Sequence, residues 1–231
     1  MTTDEIDKHL DISVVEVRGK KRVGFDGLEH LQLDEEVKED LLQRYEEIIL
    51  ALDDLADEYP EGPDRAWEIG RILDEYNVSE TNDITIADIA RYNTIGLNER
   101  RMSFCRDVYR FFPDRDYDAS HNVTALGDFA SRAKGQGRKA EAQRGYRRLV
   151  DADEDLTRRD VFAWWELGSS DPSLEDIATE VVAQYEDPAK VVGSVKRLLL
   201  LTGQEPSAYS SEEIRTAVKQ ALEAKEDTIN E

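Results

Sequence analysis

The sequence predicts a mainly α-helical protein, a helical bundle with helix-turn-helix-like units and a small N-terminal β-hairpin. Three observations predict it. Apolar residues recur at steps of three and four along segment after segment. Polar caps and Pro or Gly stops bracket those segments. Short β-branched runs are confined to the first thirty positions, as Ile12–Arg18 and Lys21–Asp26 around Gly19-Lys20, which predicts the hairpin.

The elements follow in order. Val37, Leu41, Tyr45, Ile48, Leu52, Leu55 and Tyr59 form one apolar stripe on a long helix, with Asp34 to cap it and Pro60 and Gly62 to end it. The stripe serves either the protein's own core or a homodimer seam; it is shorter than a sustained coiled coil, which favours the core. A second helix is predicted over 64–76 behind Pro63, with Ala66, Trp67, Ile69, Ile72 and Leu73 inside. Helices at 84–92 and 98–112 are joined at Asn93–Gly96, and the second ends at Pro113. Further helices are predicted at 120–132 and, after Gly135-Gln136-Gly137, at 138–150. Beyond the acidic run Asp151–Asp155 come helices near 157–167, 173–185, 188–202 and 211–226, with Thr157, Ser173 and Ser211 as caps. The expected organisation is an N-terminal region at 1–30, a helical domain at 31–150 and a C-terminal helical domain at 157–231, divided at 151–156.

Composition bounds function. The 52 acidic and 30 basic residues give a net charge of −22. Arg outnumbers Lys, and the acids are spread over the whole chain, as in proteins of extreme halophiles, whose surfaces stay hydrated where salt screens charge within about 3 Å. A single cysteine, Cys105, rules out an internal disulfide framework and reads as a small core residue within an aromatic helix. His9, His30 and His121 are scattered, so no metal or cofactor is predicted. The start of the chain lacks a signal-peptide pattern, and no apolar run approaches the ~20 residues of a membrane span. A cytoplasmic location with no membrane contact is expected. Nucleotide-binding glycine loops and a Gly-x-Ser-x-Gly elbow are absent.

Against that acidic background one region stands out. Residues 1–64 carry −13 and residues 151–231 carry −11, while 65–150 carry +2. Within 131–150, Arg132, Lys134, Arg138, Lys139, Arg144, Arg147 and Arg148 face one acid, Glu141. On a helix, Ala142, Tyr146, Leu149 and Val150 fall opposite Arg144, Arg147 and Arg148. An apolar side can therefore dock while guanidinium groups meet phosphate. The alternative is that these arginines pair with the chain's own acids or with an acidic protein partner.

Residues 84–112 carry helix-turn-helix spacing, with Gly96 in the turn and Asn98 opening the second helix. That helix bears Arg100, Arg101, Arg106 and Arg110, with Ser103, Arg106 and Arg110 expected on one exposed side. Here the chain resembles a known family. Trp67-Glu68-Ile69-Gly70-Arg71, Gly96-Leu97-Asn98-Glu99-Arg100-Arg101-Met102 and Tyr109–Pro113 look like the N-terminal helical domain of YhcG-type nucleases, over roughly 65–130. The family's Trp-Ser-His is here Ala119-Ser120-His121, and its catalytic Pro-Asp…Glu-x-Lys set has no counterpart beyond Pro113-Asp114 and a distant Glu223-Ala224-Lys225. What the resemblance implies is a DNA-associated helical domain, suited to a mobile element, without nuclease activity.

A second helix-turn-helix reading at 174–198 would turn Lys190, Ser194 and Arg197 outward; the run Leu198–Leu201 argues for a buried helix instead. Trp164-Trp165 reads as one buried and one interface ring. The expected function is a non-catalytic DNA-binding accessory protein. The alternative is an adaptor whose basic helix docks an acidic partner.

Overall fold

A computed structural model describes residues 11–17, 20–26, 35–78, 84–93, 95–168, 171–185 and 187–230. The backbone of β1 (Asp11–Val17) and β2 (Lys20–Asp26) runs as an antiparallel pair, Asp11 opposite Asp26 and Val17 opposite Lys20. The Gly19 turn and the Asp34 cap lie outside the described residues. From Glu35 onward the protein is mainly helical, as expected, and the chain divides into two compact units, Met1–Arg110 and Phe111–Glu231.

In the first unit, α1 (Glu35–Glu58) turns Leu41, Tyr45, Ile48, Ile49, Leu52 and Leu55 inward, so the stripe serves its own unit. Val37, at the start of that stripe, stays 53% exposed. Against α1 pack α2 (Pro63–Glu75) and α3 (Ile86–Tyr92). Pro63 stands at the first helical position, where its missing N–H leaves no bond unmade. Thr85 and Asp88 exchange hydrogen bonds in a capping box that starts α3. Then comes α4 (Glu99–Phe111), with Met102, Cys105 and Val108 buried. Gly70 of α2 lies directly on the Cys105 carbonyl, so a Cβ there would collide with backbone.

The second unit holds α5 (Val123–Gly135), α6 (Lys139–Asp151), α7 (Arg158–Leu167), α8 (Leu174–Gln184), α9 (Pro188–Thr202) and α10 (Ser211–Asn230). Its first core is aromatic. Phe112 and Tyr146 have ring centroids 4.9 Å apart, as do Phe129 and Trp164. The second core is aliphatic, with Ile177, Val181, Val191, Val195, Leu198 and Leu199 of α8 and α9 closed by Ile214 and Val218 of α10. Each fully buried Leu, Ile or Phe is worth about 1.5–3 kcal/mol. The link between the two cores is α9, which meets α6 where Gly145 lies on the Leu201 carbonyl.

Three expectations change here. The chain does not divide at 151–156, because both sides of that run belong to one unit. The acidic run instead closes α6: Asp153 takes φ 55°, and the N–H of Glu154 reaches back to the Leu149 carbonyl at 3.1 Å. The cap of α10 is Ser210, not Ser211; its hydroxyl accepts from the Glu213 N–H at 3.1 Å while Glu213 accepts from the Ser210 N–H at 2.7 Å. In α9, Lys190 is exposed, but Ser194 is fully buried and Arg197 is folded inward, so of the two readings of 174–198 the buried helix holds and the outward helix-turn-helix face does not. Both serve Asp160 at the start of α7. Asp160 is itself fully buried and accepts from Tyr185 Oη (2.9 Å), Arg197 Nε (2.8 Å), Thr157 Oγ1 (2.7 Å) and Ser194 Oγ. Burial works to discharge Arg197, but the hydrogen bond and charge of Asp160 outweigh it and raise its pKa.

Candidate nucleic-acid interface

The connection between α3 and α4 spans residues 93–98, longer than the three or four residues of a helix-turn-helix turn. One side chain braces it. Asn93 Nδ2 donates to the carbonyls of Ala90 (2.6 Å) and Leu97 (2.8 Å), and Asn93 Oδ1 accepts from the Leu97 N–H (3.0 Å). Gly96 sits at φ +68°, a conformation that favours glycine. Asn98 Oδ1 then accepts from the Arg101 N–H at 3.0 Å and caps α4.

The arginines of α4 meet different fates. Arg100 and Arg101 are exposed in its first turn, Arg100 with its guanidinium 5.3 Å from the centre of the Phe104 ring. Ser103 is half-buried. Arg106 does not face solvent as expected: it is 7% exposed, and its Nη1 donates to the Val78 carbonyl at 3.0 Å. One turn on, Arg110 is exposed but held to Asp74 at 2.6 Å. Sequence reasoning missed Arg65. Arg65 at the start of α2 and Arg101 at the start of α4 both act electrostatically on the buried Cys105 thiol, lowering its pKa against the larger effect of burial. Arg65, Arg100 and Arg101 form no ion pair among the described residues.

The basic stretch of the second unit is largely used inside that unit. Arg132 of α5 stacks on two rings of α7, 4.1 Å from the centre of Phe162 and 4.9 Å from Trp165. Arg138 is drawn in, its side chain 12% exposed, held bidentately by Glu141 (2.6 and 3.1 Å) and 4.6 Å from the Trp164 ring. It departs from the outward position expected of it because the buried indole offers a face that a guanidinium covers well. Arg147 is 60% exposed yet paired with Asp116 at 2.6 Å; that bond and charge raise its pKa. Arg148 is half-buried against Gly203, at the C-terminal end of α9, where a cation suits the helix dipole. Lys134, Lys139 and Arg144 are exposed. Lys139, Arg144 and Arg147 therefore form the solvent side of α6, opposite Ala142, Gly145, Tyr146 and Leu149.

The remaining candidates are structural. The Cys105 thiol is buried, which pushes its pKa up to about 12, too high for a thiolate nucleophile at neutral pH. His121 is buried, its Nδ1 2.7 Å from Tyr146 Oη, which also accepts from the Asp118 N–H at 3.1 Å. Trp164 is fully buried and Trp165 half-buried. Among the described residues no group of three or more His, Cys, Asp or Glu side chains is placed to hold a metal ion, and no helix is long and apolar enough to cross a membrane.

By fold, then, this is a mainly helical protein with exposed arginines on α4 and α6 in an acidic chain. No known protein family, curated protein or solved structure matches it.

Proposed function

We propose that the protein is a non-catalytic DNA-binding accessory factor. The observation that carries this is that Arg65, Arg100 and Arg101, in the first turns of α2 and α4, form no ion pair among the described residues. Helix N-termini favour anions, and guanidinium groups bind phosphate bidentately. In an acidic chain of this composition, arginines with no acid partner among the described residues call for an anionic ligand. The helix-turn-helix-like character of α3 and α4 and the N-terminal hairpin belong to this reading, with α4 as the helix offered to a groove. On α6, Lys139 and Arg144 would contact phosphate; Arg147 would have to leave Asp116 to join them. A high-salt cytoplasm and a mobile-element setting fit the composition and the resemblance of residues 65–130 to the helical domain of YhcG-type nucleases.

The test is duplex DNA affinity across a salt series. The wild type should bind, with affinity falling steeply as salt rises. Changing Arg65, Arg100 and Arg101 together to Ala should lower the slope of log affinity against log salt by about one for each phosphate no longer engaged. Absence of binding at low salt, or an unchanged slope, overturns the proposal.

A further inference from the structure

The seam between α5 and α7 is built from residues one turn apart. Asp128 and Arg132 on α5, and Gln136 at its C-terminal cap, face Arg158, Phe162 and Trp165 on α7. Asp128 and Arg158 pair at 2.6 Å. Gln136 Nε2 donates to the Trp165 carbonyl at 3.1 Å. Between them lies Arg132, its guanidinium on the Phe162 and Trp165 rings. The outer groups of this seam are answered, while the middle one is not. Arg132 makes no hydrogen bond or ion pair through its guanidinium among the described residues, although acids outnumber bases by 52 to 30 in this chain. Its guanidinium lies over both rings, and its N–H groups have no acceptor among the described residues. Phe162 and Trp165 are themselves only half-buried, leaving apolar surface beside that edge.

We infer that this seam is a docking site for an acidic segment of a partner protein. A carboxylate of the partner takes the N–H edge of Arg132 bidentately, and a neighbouring apolar side chain covers Trp165 and Phe162. Charge complementarity selects the occupant: a cation without an internal acid accepts an anion. Its form selects protein over nucleic acid. The site is one half-buried guanidinium over two half-buried rings; Arg158, which also lies over Phe162 at 5.7 Å, is already neutralised by Asp128. That suits a single carboxylate with an apolar neighbour, and it offers no track for successive phosphates. Stacking holds the fork in place before binding, so little side-chain freedom is lost on association. Arg and Trp are also the residue types that dominate binding energy at protein interfaces. The site stands apart from the DNA proposal, which uses α4 and α6.

The experiment uses the full chain and a short, end-capped, fluorescein-labelled peptide of Glu, Asp and Leu, with a Gln, Asn and Leu counterpart. Salt is set at about 1 M, where screening acts within about 3 Å and only direct contact survives. The acidic peptide should bind and the amide peptide should not. Arg132→Gln should weaken binding by about tenfold or more, as loss of a charge-assisted hydrogen-bond pair does. Arg132→Lys, which keeps the charge but loses the planar fork, should weaken it by a smaller factor. Because these changes touch a helix seam, a second measurement uses the wild type. Phenylglyoxal labelling read by mass spectrometry should show Arg132 protected by the acidic peptide, with Arg144 labelled equally in both conditions. Equal binding of both peptides, unchanged affinity in Arg132→Gln, or unprotected Arg132 overturns the inference. So does protection of Arg132 by duplex DNA in place of the peptide, which would transfer the seam to the nucleic-acid reading.

Discussion

Arg138 and Arg144 belong to one basic stretch and meet opposite surroundings. Arg138 covers a buried indole and is clamped by Glu141, whereas Arg144 points into solvent. Replacing Arg138 with Ala should cost about 1–3 kcal/mol in urea unfolding, because it removes a cation–π interaction and charge-assisted bonds; Arg144→Ala should change stability by less than about 0.5 kcal/mol. Gly70 is fixed by a close approach rather than by dihedral freedom. Gly70→Ala should destabilise by about 1–3 kcal/mol or more, because its Cβ meets the Cys105 backbone, which cannot move like a side-chain tip. Gly135→Ala is the control: its Cβ enters open space in a helix, and a gain of about 0.5–1 kcal/mol is expected. The Cys105 thiol is pushed up from 9.0 to about 12 by burial, so the folded state favours the neutral thiol. Its contribution to stability is complete below pH 9 and is lost as pH rises from 9 toward 12. Urea midpoints measured over that range should fall more steeply for the wild type than for Cys105→Ala.

At the level of elements, helix starts are where sequence and structure correspond most closely. Thr157 and Ser173 cap α7 and α8 as their spacing predicts, each with an Asp three residues on that answers the backbone. Ser173→Ala should cost about 1 kcal/mol by thermal or urea unfolding. The carboxylates of Asp176 and Glu213 are held below their ordinary range by the Ser173 and Ser210 hydrogen bonds, so these caps weaken as pH falls through the carboxylate range. Asp160 does more than its position suggests. The Thr157–Asp160 box is visible in the sequence, but nothing local shows that the same carboxylate also receives Tyr185, Ser194 and Arg197 from α8, α9 and the residues between them. Asp160→Ala should cost about 3–5 kcal/mol, since it strands Arg197 without its partner. A loss of only the ~1 kcal/mol of a cap would show that the network contributes nothing.

For the molecule as a whole the dominant quantity is charge. A net charge of −22 opposes the compact state through self-repulsion. Stability should rise from low to molar salt as that repulsion is screened, measured as the urea midpoint against KCl. A midpoint that falls steadily with salt would mean that the surface ion pairs, such as Arg147–Asp116 and Arg110–Asp74, outweigh it.

The chain read alone supplies the helices, their stops and most of their caps, because periodicity and capping are local and the chemistry lies within a turn or two of the residue concerned. It also shows that positive charge gathers in the middle of an acidic protein. It does not show which of those cations remain free. Arg106 and Arg138 share the composition and helical spacing of Arg101 and Arg144, yet Val78, Glu141 and Trp164 draw them inward. Arg132 becomes a site residue only through two rings on another helix. The apparent division at 151–156 likewise disappears once α6 is seen to lie on α9. In each case the deciding partner is distant in sequence, and a guanidinium's role depends on what packs against it.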